Sequence, residues 1–187
     1  NGEPLPYGQA IRSGLSVGVP GTLALLQTAH DNHGILPWEE LFEPAITLAE
    51  QGFKVSPRLN RLLSADEALR KDEQAGSFYY DQDGNAIETG TLLKNPALAA
   101  ILYDVAENGI ESFYRGEAAR DIARRVQNHE RPGRMLASDI QAYLELDLRT
   151  EEIGTPWKSY SVCGFPPPSS GHLTVMQILG MMEQLEM

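Results

Sequence analysis

Apolar residues recur at helical spacing along most of the chain, with glycine and proline between the runs. Leu23, Leu26, Gln27 and His30 fall on one face after Pro20-Gly21-Thr22, which predicts a helix over about 22–33. Gly34 is expected to leave that helix through the left-handed region, and Pro37 to open the next one. There Trp38, Leu41, Ala45, Leu48 and Ala49 form the expected buried stripe, with Pro44 as an internal kink and Gly52 as the stop. Ser56-Pro57 reads as N-cap and first residue of a third helix carrying Leu59, Leu62, Leu63 and Leu69 to about Arg70. A fourth opens at Asn95-Pro96 and runs through Leu98, Ile101, Leu102 and Val105 to Gly109. A fifth, from about Gly116, aligns Ala119, Ile122, Ala123 and Val126 before 129–132 breaks it.

Strand patterning is sparse, so the predicted class is α+β and predominantly helical. Phe78-Tyr79-Tyr80 and Ala86-Ile87 flank Asp83-Gly84-Asn85 as a short surface hairpin would. Ser138-Asp139 caps a short turn ending near Tyr143. The segments 146–151 and 157–163 predict a second hairpin, turning through Gly154. Pro166-Pro167-Pro168 stiffens the chain before Ser169, Ser170 and a last helix with the stripe Val175, Ile178, Leu179, Met182 and Leu185. Residues 1–13 lack a periodic pattern and read as an exposed connecting segment; 14–187 read as one incomplete domain. The start at Asn1 and the stop at Met187 within a helical pattern are those expected of a piece of a longer polypeptide, whose last stripe would self-associate or lose order.

Composition narrows the partners. Among 187 residues, 26 acidic side chains against 15 basic ones leave a net charge of −11, a field that repels nucleic acid and anionic membranes. The 42% apolar content suffices for a folded core. Cys163 is the single cysteine, which excludes an internal disulfide and multi-cysteine metal sites. No run approaches the roughly 18–20 apolar residues of a membrane-spanning helix.

Four local patterns could carry chemistry. Gly14-Leu15-Ser16-Val17-Gly18 matches the nucleophile elbow, but neither a preceding strand nor an immediate helix supports it. Asp81, Asp83 and Asn85 imitate the start of a calcium loop, yet Ala86 and Leu92 occupy positions that need Gly and Glu, so a plain turn is expected. His30 and His33 could share a metal on a helix but lack a third ligand. Around Pro166–Gly171, amides of Ser170, Gly171 and His172 could hold an anion at a helix N-terminus; capping by Ser169 or Ser170 is the simpler expectation. His172 has no evident carboxylate partner.

Several segments together resemble the large subunit of γ-glutamyltranspeptidases, the N-terminal-nucleophile enzymes that hydrolyse glutathione. The similarity lies in Ser16-Val17-Gly18-Val19-Pro20-Gly21-Thr22, Gly34-Ile35-Leu36-Pro37-Trp38-Glu39-Glu40-Leu41, Glu43-Pro44-Ala45-Ile46 and Leu48-Ala49-Glu50-Gln51-Gly52-Phe53. It continues through Asn95-Pro96-Ala97-Leu98-Ala99, Phe113-Tyr114-Arg115-Gly116, 139–143 and Pro166-Pro167-Pro168-Ser169-Ser170-Gly171, covering about 14–187. This resemblance implies part of a layered α-β-β-α enzyme, made as one precursor that cuts itself to free a threonine nucleophile. It implies no metal or cofactor, a γ-glutamyl substrate, the small subunit and other missing parts of the precursor as partners, and a periplasmic or extracellular location.

The resemblance also implies that no catalytic residue lies in this chain. The family's threonine opens the small subunit, beyond Met187, and its carboxylate-binding arginine precedes the matched segment. Its substrate-binding Ser-Ser pair belongs to the small subunit, so Ser169 and Ser170 do not inherit that role, nor do Thr22 and Thr174 inherit the nucleophile's. His172 stands where many members have a second glycine. A non-catalytic helical interaction module and an acylase of the same family acting on other amides are the alternative readings.

Overall fold

A computed structural model describes residues 4–146 and 152–185. The chain divides into two compact units, 1–145 and 146–187. The first is helical: α1 (Tyr7–Ala10), α2 (Thr22–His33), α3 (Glu43–Gln51), α4 (Pro57–Ala65), α5 (Glu67–Lys71), α6 (Glu73–Tyr79), α7 (Pro96–Asn108), α8 (Ile110–Arg115), α9 (Glu117–Gln127) and α10 (Ala137–Ala142). Its two short strands, β1 (Phe53–Lys54) and β2 (Leu92–Leu93), pair antiparallel with Phe53 opposite Leu93. The second unit is a hairpin, β3 (Ile153–Trp157) and β4 (Tyr160–Gly164), followed by α11 (Gly171–Glu183).

Tyr114, on α8, ties several elements of the first unit together. It is fully buried with Ala119 and Ala123 of α9 and Ile140 of α10. Its hydroxyl donates to the Pro20 carbonyl at 2.6 Å and accepts from the Ala24 N–H at 3.3 Å. That N–H is one of the donors a helix N-terminus leaves unpaired, and Gly21, the N-cap of α2, has no side chain to serve it. A phenol about ninety residues away in sequence therefore caps α2. Tyr143 stacks on Tyr114 with ring planes 3° apart, and its hydroxyl occupies the space a Cβ on Gly21 would need. Burial holds the Tyr114 hydroxyl above its ordinary pKa, so it remains a donor at neutral pH.

A second cluster joins α3 to α7. Phe42, Ile46 and Val105 are buried together, and the Trp38 indole N–H donates to the Val105 carbonyl at 3.1 Å. This corrects the expected stripe. A 3-10 turn, Glu39–Leu41, precedes the helix, and Pro44 lies in the first turn of α3, where its missing N–H costs nothing. The restart shifts the phase, so Phe42, Ile46 and Ala49 face inward while Leu41, Ala45 and Leu48 are exposed.

The helices over 22–33, 96–108 and 117–127 lie where periodicity puts them, and the Ser56 hydroxyl caps the third from Leu59 N–H at 3.1 Å. Other boundaries move. Gly34 has φ −66° and ψ 144°, an extended exit; a side chain there would collide with the His30 ring and carbonyl. The third predicted helix breaks at Asp66, whose carboxylate accepts from Ala68 and Leu69 N–H and starts α5. Asp72 repeats the device for α6, which absorbs Phe78 and Tyr79; only the Tyr80–Ala86 bridge survives of the first predicted hairpin. On α7 it is Ala99 and Val105 that are buried, whereas Leu98 and Ile101 are exposed. Helix α10 takes its cap from Asp139, which accepts from Leu136 N–H at 2.8 Å, and Ser138 does not serve.

In the second unit the hairpin turns at Lys158-Ser159, with Lys158 at φ 51°, and not at Gly154, which pairs with Cys163 inside the ladder. Of the strand expected over 146–151, residues 147–151 lie outside the described residues.

Tyr114→Phe should lower the unfolding free energy by about 1–3 kcal/mol, because Pro20 carbonyl and Ala24 N–H both lose their partner; urea denaturation measures this. Asp66 and Asp72 titrate below their ordinary value, chiefly through the Leu69 and Ala75 N–H donors respectively. Their folded pKa is depressed, so the stability they contribute is present above the unfolded pKa of about 4 and is lost as pH falls through the folded one. Asp66→Asn/Asp72→Asn should flatten the stability-versus-pH curve below about pH 4.

Candidate functional site

The elbow-like Gly14-Leu15-Ser16 is a 3-10 turn, and Ser16 Oγ donates to the Ser13 carbonyl at 2.9 Å. Gly14 is buried because its backbone lies against Gly133 and Val126, with Gly14 N–H donating to Arg131 carbonyl at 2.9 Å. The glycine requirement is therefore one of packing. The Asp81–Asn85 segment is a turn closed by Asp81, which accepts from Asp83 and Asn85 N–H at 3.0 and 2.8 Å. These donors, the Asn85 N–H first, hold the Asp81 carboxyl below its ordinary pKa. His30 Nε2 is 2.8 Å from the Leu36 carbonyl and its ring meets Trp38 edge-on, so it is engaged in packing. Among the described residues no group of three or more His, Cys, Asp or Glu could hold a metal ion.

The segment Pro166–His172 lies in the second unit. Its Pro167-Pro168 peptide is cis, and Ser169 N–H closes a turn on the Pro166 carbonyl. Neither serine side chain caps α11, contrary to expectation: Ser170, the N-cap, has φ −90° and ψ −11°, a helical conformation instead of the extended one from which a cap hydroxyl reaches back. Among the described residues no side chain caps the first N–H groups of α11, a donor array of the kind that suits an anion.

His172 is anchored from the strand side, a contact that sequence spacing does not signal. Its Nε2 is 2.8 Å from Thr155 Oγ1, and a Cβ on Gly164 would strike its ring. Gly164 thus provides the room that the imidazole fills. Among the described residues, neither His172 Nδ1 nor Trp157 Nε1, both buried, has a hydrogen-bond partner. A threonine bonded to an imidazole could be activated only if a third group oriented the ring, and Nδ1 has none. Cys163 is exposed on the hairpin. Its bond to Glu152, with a smaller contribution from desolvation, holds the thiol pKa above its ordinary value, which disfavours the nucleophilic thiolate.

These elements make scaffold: helices fixed by buried tyrosine and tryptophan bonds, and a hairpin packed on a helix, without a nucleophile–base–orienter set among the described residues. The model of the gamma-glutamyltranspeptidase family matches residues 2–187, and the chain belongs to that family. It is 36% identical over 176 residues to glutathione hydrolase 2 of Arabidopsis thaliana, covering 92% of this chain and 29% of the relative. To the glutathione hydrolase proenzyme of Escherichia coli K12 it is 33% identical over 181 residues, covering 96% and 30%. The gamma-glutamyltranspeptidase structure from Helicobacter pylori superposes with a TM-score of 0.82 at 26% identity, over 96% of this chain and 51% of that one. The chain thus spans about three tenths of the length of the curated relatives it matches.

Thr155→Val should destabilise the second unit by about 1–3 kcal/mol, since it leaves both ring nitrogens of His172 unpartnered. Loss of cooperative unfolding reported by Trp157 fluorescence, at lower denaturant than in the parent chain, checks this.

Proposed function

We propose that this chain is a segment of the large subunit of a glutathione-hydrolysing γ-glutamyltransferase, and that it forms part of the walls around a nucleophile carried elsewhere in the precursor. The observation that carries this reading is the family match along 2–187 together with relatives named glutathione hydrolase. In this reading the precursor cuts itself, and the freed threonine uses its own amine as base. Its hydroxyl oxygen attacks the γ-glutamyl carbonyl carbon, the amide C–N bond breaks, and cysteinylglycine leaves with the transferred proton. Water or an amino acid then takes the γ-glutamyl group from the ester, with backbone N–H groups stabilising each oxyanion.

The α-β-β-α layering belongs to this proposal, with the strands of this segment joining sheets completed by the rest of the precursor. The small subunit is the proposed partner, and the family resemblance alone supports a periplasmic or extracellular location. Catalysis by the 187 residues alone is not expected.

The complete open reading frame, expressed and purified, should yield two subunits and release the chromophore of a γ-glutamyl anilide. Thr→Ala at the new N-terminus should abolish both processing and turnover, and the 187-residue chain should show neither. An unprocessed full-length protein without turnover would overturn the proposal; faster turnover of a glutaryl amide than of glutathione would replace the substrate with that of an acylase.

A further inference from the structure

Asn108 ends α7, and Gly109 joins that helix to α8. In an asparagine–glycine pair the glycine nitrogen has no side chain beside it, so it reaches the asparagine amide carbon more readily than any other residue's nitrogen does. Whether the pair reacts in a folded chain depends on what holds that nitrogen and that amide. The helix-ending glycines Gly34 and Gly52 have theirs engaged, donating to the His30 and Leu48 carbonyls at 2.6 and 3.0 Å. In the Asp83-Gly84 turn, Gly84 N–H donates to the Asp81 carbonyl at 3.0 Å.

Gly109 differs from all three. The acceptor in the corresponding place is the Val105 carbonyl, which accepts instead from the Trp38 indole N–H at 3.1 Å, and among the described residues none takes the Gly109 N–H. Gly109 leaves the helix at φ 73°, with no atom within 4 Å of the place a Cβ would occupy. Asn108 is exposed, and its Nδ2 donates to Asp104 Oδ1 at 2.8 Å, also at the surface. An exposed pair at this spacing holds a side chain only weakly.

We propose that Asn108 is a site of spontaneous covalent modification, at which solvent water converts the amide to aspartate and isoaspartate through a cyclic imide with Gly109. The Gly109 nitrogen gives up its proton and bonds to Asn108 Cγ; the Cγ–Nδ2 bond breaks, and ammonia leaves with that proton. Water then opens the imide at Cγ, giving aspartate, or at the Asn108 main-chain carbonyl, giving isoaspartate with a backbone one methylene longer. The net change is amide and water to carboxylic acid and ammonia. Either product sets a carboxylate at the C-terminus of α7, where the helix dipole disfavours it, and beside Asp104, which loses its donor. Ile110, the next residue, packs against both buried clusters of the first unit, so a lengthened joint at 108–109 loosens one from the other.

The folded full chain, aged at mildly alkaline pH in heavy-oxygen water and peptide-mapped by mass spectrometry, tests this beside a synthetic peptide of residues 103–114. Asn108 should gain one heavy oxygen at a rate within about tenfold of the peptide's, with isoaspartate the main product. Ageing should also lower the urea midpoint of the parent chain but not that of Asn108→Gln, which keeps an amide there and closes the larger ring far more slowly. Retention of the Asn108 amide in the folded chain, with conversion only in urea, would overturn the proposal, as would an equal loss of midpoint in Asn108→Gln. Should the chain alone lack helical circular dichroism, the same map on the folded complete precursor decides in the same way.

Discussion

The Tyr114 hydroxyl is the bond on which the first unit depends. It joins three things that local sequence cannot join: the carbonyl before Gly21, the unpaired N-terminus of α2 and the α8–α9–α10 core. A helix of twelve residues is marginal in isolation, and α2 buries no residue completely. Its hold on the unit comes from Leu23 and Ala24 lying against the core and from the phenol that closes its first turn. Trp38 does similar work at the other end, tying the approach to α3 onto the last turns of α7.

Much of the helical framework was legible in the sequence because caps and stripes are local. Ser56-Pro57, Asn95-Pro96 and the alanine-rich face of 117–127 needed no tertiary knowledge. The departures share a cause: a single residue restarts the chain inside an apparently continuous pattern. Asp66 and Asp72 each end one helix and cap the next, and Pro44 opens a helix instead of bending it. The hairpin turn moved because Lys158 takes a conformation usually left to glycine, while Gly154, the more obvious turn former, lies in the ladder.

The candidate chemistry was legible mainly as exclusion. Ser16, the Asp81 turn and His30 read as structural in sequence and are engaged in local hydrogen bonds here. Nothing in the spacing foretold that Thr155 would meet His172, since that pairing crosses between segments brought together only by folding.

The β1–β2 pair also has an evolutionary reading. Phe53 faces Leu93, Val55 exchanges hydrogen bonds with Thr91 and Gly90, and Asn95 N–H reaches Ala49 carbonyl at 2.7 Å, so the chain departs and returns at one place. Within the excursion Val55, Leu63 and Tyr80 are buried, and the Tyr80 hydroxyl donates to the Leu63 carbonyl. Because lengthening a closed loop adds only slowly to its entropy cost, such a detour can grow, shrink or be exchanged between lineages while the trunk keeps its geometry. The 54/92 rung is therefore the place where such a detour could be exchanged with the trunk left intact.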